Sequence, residues 1–555
     1  MFTFTRKNYT FFIMLCVINT FQLGCQKVEK VPLEAKTEDL VYDEKDLNGV
    51  VANQAITNLY TFLPTGFNRI DGSYLDAATD DGITSQYASN IQLLSKGLQS
   101  STQLVDNTFG DSYTGINRAS LFLSKIDVVP VTDETKTLWK AEARFIRAMC
   151  YFELIKRYGG VPLLGDKILT LYDDIHIPRN SYAECVQYIV NECDSISDHL
   201  LKEPVTAVQL GRITQGAALA LKSRVLLYAA SPLNNPSNDV TKWETAAEAA
   251  KAVIDLGYYA LNANFVNVFI TRKDKEAILA YQDVKNQDLE RANSPAGYVS
   301  DLYTSSGSTS PTQDLVDAFP TITGKAITDP TSGYDAMDPY AKRDPRFDAT
   351  IFYNGAEWLG RPVETFEGGR DKPNTDQVQT KTGYYLRKFL PDLSTASNYS
   401  PVDHNFIIFR YAEILLNYAE AANESGDIAA NRAIAYTQLI SLRKRAKIIA
   451  GTGALYGLKP NMNQVEMREA IRLERRIEMA FEEQRFWDVR RWKTAEIDFN
   501  KTLQGMEITQ IDANAFSYQV VNVEPIVFIA PKMYLYPIPF TEVISNNALT
   551  QNSGW

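Results

Sequence analysis

The chain has 555 residues, of which 45% are apolar and 22% charged, and its net charge is −11. The length exceeds one ordinary domain of roughly 150 residues and suffices for a large helical array, and the composition fits neither a disordered chain nor a membrane bundle. The acidic balance argues against a nucleic-acid partner, which needs clustered cations, and the scattered His176, His199 and His404 argue against a His-based metal site or triad.

Along the chain, Arg6 and Lys7 precede an apolar run, Phe11 to Phe21, that is too short to span a bilayer. Gln22-Leu23-Gly24-Cys25 closes it. This reads as a lipoprotein signal over residues 1–24, with Cys25 as the lipidated first residue of the mature chain. Cleavage removes two cations and lowers the net charge from −11 to −13. Residues 25–42, rich in Lys and Glu, read as a tether. Residues 43–555 are expected to form one domain.

Helical spacing begins within 43–63 and is followed by an irregular region over 64–110. Trp139 to Tyr158 places Phe145, Ala148, Phe152 and Ile155 on one stripe, stopped by Gly159-Gly160 and Pro162. Further helices are predicted over 181–200, 214–230, 243–256, 409–424, 431–446 and, as one long final helix, 464–493. Cys185 and Cys193 fall about 12 Å apart on their helix, too far for a disulfide. With Cys150 they are expected to be buried thiols. Paired helices with small residues at their crossings indicate tetratricopeptide-type repeats. The predicted fold is mostly α: a tetratricopeptide-like scaffold over 111–256 and 406–493, with a loop-rich insertion over 260–405 and minor β structure. The insertion holds 10 of the 23 prolines, which forbids long helices. Ala277–Tyr281 and Tyr384–Phe389 read as strands.

Three blocks carry a family resemblance. The first runs from Arg144 through Phe152 into Tyr158-Gly159-Gly160-Val161-Pro162-Leu163. The second is Arg472-Leu473-Glu474-Arg475-Arg476, Glu478-Met479-Ala480-Phe481-Glu482 and Arg485-Phe486-Trp487-Asp488-Val489-Arg490-Arg491-Trp492. The third is Tyr536-Pro537-Ile538-Pro539, Glu542, Asn546-Asn547 and Gln551-Asn552-Ser553-Gly554-Trp555, with Ala548 and Ser553 where Pro is usual. In this order behind a lipoprotein signal, the chain closely resembles the SusD/RagB family of Bacteroidetes outer-membrane lipoproteins. The resemblance implies a tetratricopeptide-like superhelix with an irregular ligand-binding face. It also implies a place at the cell surface over a SusC-like TonB-dependent transporter, and capture of a nutrient, most often a glycan, without catalysis or cofactor.

Within the late helix, Glu474, Glu478 and Glu482 repeat at i, i+4, as do Arg468, Arg472 and Arg476. Like charges in rows repel, so they are expected to find opposite charges on neighbouring elements. The ligand is expected at aromatic residues of the insertion, Tyr298, Tyr303, Tyr334, Tyr340, Tyr353 and Trp358, with Arg361 beside them. Trp358, between Gly355 and Gly360, is expected on an exposed loop tip and is the foremost candidate for stacking on a sugar. A second surface, 71–109, offers Asp71, Asp76, Asp80, Asp81 and Phe109. The reading is a glycan-binding lipoprotein. Its rivals are a relative whose cargo is a peptide or other nutrient, and a glycoside hydrolase on a helical scaffold.

Overall fold

The computed structural model describes residues 41–170, 172–300, 303–391 and 403–555. The signal, Cys25 and all but the end of the tether lie outside them, as does the Tyr303 side chain. Among the described residues, ten longer helices appear in chain order: α1 Val50–Leu59, α2 Phe109–Lys125, α3 Asp133–Tyr158, α4 Tyr182–Ile196, α5 Gln215–Ala230, α6 Val240–Asp255, α7 Tyr411–Glu424, α8 Ala429–Arg445, α9 Gln464–Glu478 and α10 Gln484–Arg491. The protein is therefore mostly helical, as expected.

Local chemistry sets the helix ends. The Thr132 hydroxyl accepts from the Thr135 N–H at 3.2 Å to start α3. Asp133 and Glu134 fill its first turn and Lys156 and Arg157 its last, matching the helix dipole, and Gly159 at φ +75° ends it. Ser181 with Glu184, and Asn463 with Glu466, form capping boxes on α4 and α9. The predicted stripe of Phe145, Ala148, Phe152 and Ile155 is buried.

Consecutive helices pack on one another from α2 to α6. After the insertion the chain returns, and α7 lies directly on α6 and also touches α5, α8 and α9. Buried alanines at the α5–α6 contact, among them Ala217, Ala218, Ala220, Ala246 and Ala250, leave no bulk to hold the helices apart. Cys150, Cys185 and Cys193 are free and buried, and burial pushes the Cys150 thiol up to about 12.

The strands are short except for one pair. They are β1 Ala78–Thr79, β2 Gly82–Thr84, β3 Ala277–Tyr281, β4 Val299–Ser300, β5 Tyr303–Thr304, β6 Thr309–Pro311, β7 Ile351–Phe352, β8 Glu357–Trp358, β9 Arg361–Pro362, β10 Tyr385–Leu386, β11 Phe406–Arg410, β12 Lys501–Asp512 and β13 Ala515–Ile526. All pairings are antiparallel, in the order β1-β2-β6, β10-β7, β11-β3, β12-β13, β4-β5 and β8-β9. Both predicted strands of the insertion are present, as β3 and β10. Helices among the described residues of 260–405 reach only six residues.

Two expectations fail. The final helix is not continuous: it breaks after Glu478, with Phe481 at φ +61° and Glu483 at φ +60°, and resumes at Gln484. The freed carbonyls are used, since Lys388 donates to Glu478 O and Ala480 O at 3.1 and 2.8 Å, and Arg410 donates to Glu478 O at 2.8 Å. The sequence reading also assigned no structure to 501–526, where β12 and β13 form a long hairpin. Met506 and Ile508 of this hairpin complete the insertion's own hydrophobic core. Gly505 allows the approach, because a Cβ there would lie 2.6 Å from the Thr382 Cα.

Candidate functional site

The aromatic residues proposed from the insertion mostly build that core. Trp358 is 2% exposed and its ring lies 5.0 Å from that of Phe352. This corrects the loop-tip expectation, and the cause is local. Leu359 and Gly360, at φ +49° and +79°, form a two-residue hairpin turn between β8 and β9. Strand alternation then turns Glu357 outward and Trp358 inward. No open ring face remains at Trp358 for a sugar. Tyr298 is buried below the same hairpin, its hydroxyl donating to Trp358 O at 2.7 Å and its ring carrying the Arg361 guanidinium at 3.8 Å. Three of the proposed residues thus share one cluster, as parts of a packed unit. Tyr340, also buried, stacks on the half-buried Tyr353 at 4.4 Å, and half-buried Tyr334 lies beside Arg343.

The early acidic residues are likewise corrected. Asp80 and Asp81 are buried. Arg485 grips Asp80 with two bonds of 2.9 Å, Arg476 binds Asp81 at 2.7 Å, and Lys501 reaches Asp80 at 3.4 Å. Burial pulls Asp80 upward, but Arg476 and Arg485 prevail and hold it well below the usual carboxylate range. Asp76, buried without such a cation, is raised well above that range by desolvation and by Asp81. These groups fasten the early segment to α9 and α10 and do not line a surface. Phe109 opens α2 and packs on Tyr113 and Tyr158, which removes it as a stacking platform. Only Asp71 is exposed, and it accepts from the Asn90 N–H at 2.7 Å.

Of the two predicted rows, Glu474, Glu478 and Glu482 form the expected network, while Arg468 pairs with Glu424, Arg476 with Asp80 and Asp81, and Arg472 reaches only Glu469 of its own helix. Arg346, Lys388, Arg410, Arg443 and Arg445 meet Glu276, Asp344, Glu474, Glu478 and Glu482, and every one of these side chains is at most 5% exposed. Five cations balance five carboxylates. Several of the cations come from the insertion and its flanking strand, not only from helices. Each of these glutamates is saturated by Arg or Lys, so they offer no open pair of carboxylates.

What the structure does assemble is a seam. β2 of the early segment pairs with β6 of the insertion, so the two surfaces proposed separately become one. Beyond β2 the chain stays pinned: Ser85 donates from its N–H to Ser308 O at 2.9 Å, and its hydroxyl bonds to Ser310 at 2.7 Å. Tyr87 then emerges with 64% of its surface open. Its hydroxyl donates to Gln377 O at 3.2 Å, while Gln377 Nε2 donates to Ala296 O at 2.7 Å and Lys381 Nζ to Gln86 O at 3.2 Å. Asp371, fully buried, ties together the neighbouring loops: it accepts from Arg361 at 2.8 and 3.0 Å, from the Gly297 N–H at 3.0 Å and from the Glu364 N–H at 2.8 Å. An exposed ring is thereby tethered at its hydroxyl to Gln377, and Asn374, Thr375 and Asp376, just before Gln377 in sequence, are exposed. Such a surface presents an apolar face to a sugar ring and polar groups to its hydroxyls. Sequence reasoning missed Tyr87. The available signal was a lone aromatic in the polar run Ser85-Gln86-Tyr87-Ala88-Ser89-Asn90, with no apolar neighbour to pack it.

Comparison with known proteins agrees with the architecture. Residues 275–555 match the SusD family model, and residues 38–227 match a model described as starch-binding, associating with outer membrane. The SusD-like protein P2 of Formosa agariphila is 24% identical over 564 residues, covering 99% of each chain. The crystal structure of a SusD-like protein of Bacteroides fragilis superposes with a TM-score of 0.78 at 27% identity, over 94% of this chain and 100% of that one. A second B. fragilis structure, of a SusD-like carbohydrate binding protein, gives 0.75 at 24% identity, over 91% and 99%. With the helical scaffold, the insertion and the matched segments in agreement, the chain belongs to the SusD family.

Proposed function

We propose that the protein is a cell-surface glycan-binding lipoprotein that captures an oligo- or polysaccharide and passes it to a SusC-like TonB-dependent transporter, without catalysing a reaction. The observation that carries this reading is the Tyr87 platform: an exposed aromatic ring, tethered by its own hydroxyl bond, on a seam between two segments. The starch-binding description of the matching family model and the carbohydrate-binding relative support the ligand class. Anchoring rests on Cys25, which lies outside the described residues; acyl chains there would hold the body at a membrane by about 0.8 kcal/mol per buried methylene.

The test is affinity electrophoresis of the mature protein in gels containing starch and other neutral and acidic polysaccharides. Retardation by one of them, with no reducing sugar released, is expected. Tyr87→Ala should lower that affinity by about tenfold or more, the loss typical of an exposed stacking anchor, with an unchanged melting temperature. Failure of every glycan to retard the protein would sink the reading, and release of reducing sugar would turn it into a hydrolase. The transporter partner is tested separately. Detergent extraction of native membranes should recover this chain with a β-barrel protein, and its repeated recovery alone would refute the partnership.

A further inference from the structure

A cleft of about 500 Å³, which shares no lining residue with the Tyr87 seam, opens between the α5–α6 turn, α7 and α9. Its size falls within the range of small-molecule sites. Most charges on its walls are satisfied. Glu420 accepts from Arg491 at 2.7 Å and from Trp492 Nε1 at 2.7 Å, and Glu424 accepts from Arg468 Nε at 2.7 Å. Arg472 is different. Its side chain is only 21% exposed, and its buried Nε has no hydrogen-bond partner. Its only ion pair is with Glu469, at 3.5 Å and itself 66% exposed, and the charge of Glu420 also acts on it. The guanidinium lies over the Trp492 ring at 4.8 Å. The other arginines of α9 make short bonds, Arg468 to Glu424, Arg475 to Asp488 and Arg476 to Asp81. Lys493 is the third cation of the wall, after Arg468 and Arg472.

An arginine held on an aromatic face, largely desolvated and with no short bond to a carboxylate, is suited to a planar oxyanion. We propose that this cleft binds a small carboxylate, of the size of a single sugar acid, through the Arg472 fork. Glu420 and Glu424 do not oppose it, because Arg491 and Arg468 already neutralise them. The cleft is separate from the seam that carries Tyr87, so the two proposals fail independently.

The experiment is calorimetric titration of the mature protein with D-glucuronate, with D-glucose and acetate as controls. Saturable glucuronate binding is expected, with no binding of glucose. Arg472→Gln should weaken it by about tenfold or more, and Arg472→Lys, which keeps the charge but not the fork, by several-fold. Acetate competing as well as glucuronate assigns recognition to the carboxylate alone, whereas a preference for glucuronate adds the ring; either result supports the site. Arg472→Gln gives up the contact with the Trp492 ring, so both variants are melted beside the wild type and the one that keeps its melting temperature carries the test. Tyr87→Ala should leave glucuronate binding unchanged. Absence of saturable glucuronate binding, equal binding of glucose, or full affinity in both Arg472 variants would overturn the proposal.

Discussion

Arg410→Met is expected to destabilise the protein by about 3–5 kcal/mol, the cost of stranding buried charges by removing one partner. The Arg410 side chain is 1% exposed. It donates to Glu482 at 2.7 and 2.8 Å, to Glu276 at 2.8 Å, and to Glu478 at 2.8 Å through both a carboxylate and a backbone oxygen. It is also the strongest single tie between β11 at the end of the insertion and the break that follows α9. Burial alone would pull Glu478 upward, but Arg445, Arg410 and Arg346 hold it well below the usual carboxylate range. Without Arg410, Glu276, Glu478 and Glu482 face one another with reduced compensation. Adding Glu482→Met to Arg410→Met should recover part of the loss, because one stranded carboxylate is then gone. Urea denaturation of the single and double variants measures this. A single variant as stable as wild type would show that the network contributes little.

Trp358→Ala should likewise act on stability, with a loss of about 3–5 kcal/mol for a large buried aromatic. The ring packs on Phe352 inside the insertion core, while its backbone carbonyl anchors Tyr298. The affinity for any glycan bound at the Tyr87 face should then change only as far as the insertion loosens. Thermal melting beside glycan titration separates the two effects. Unchanged melting with lost affinity would restore Trp358 as a contact residue and refute its place in the core.

The helices were legible because periodicity and caps are local. Thr132, Ser181 and Gly159-Gly160 mark their ends in the sequence itself, and α3 to α8 fall close to where spacing places them. The glutamate row announced a network for the same reason. The identities of the partners were not legible, because Arg346, Lys388 and Arg410 lie 68 to 132 residues before the glutamates they meet and approach them only in the folded chain. Aromatic side chains posed the harder question. Trp358 and Tyr87 each stand near polar or glycine residues, yet a tight hairpin turns one inward and a long-range bond to Gln377 holds the other outward. β12 and β13 escaped notice because their distal ends are exposed on both faces, which erases the alternation that marks a half-buried strand.

The fastening of Asp80 and Asp81 to Arg476, Arg485 and Lys501 joins residues some 400 positions apart. A chain emerging from its amino end carries these acids unmatched until almost all of it has been delivered. The clamp that fixes the early segment on α9 and α10 therefore closes after the β2–β6 pairing beside it, and contacts of such long sequence separation are slow to close. Any fragment ending before residue 476 lacks the cations that seat the early segment. A product truncated there keeps Asp80 and Asp81 as acids without their cations, beside a β2 strand whose partner β6 is already present.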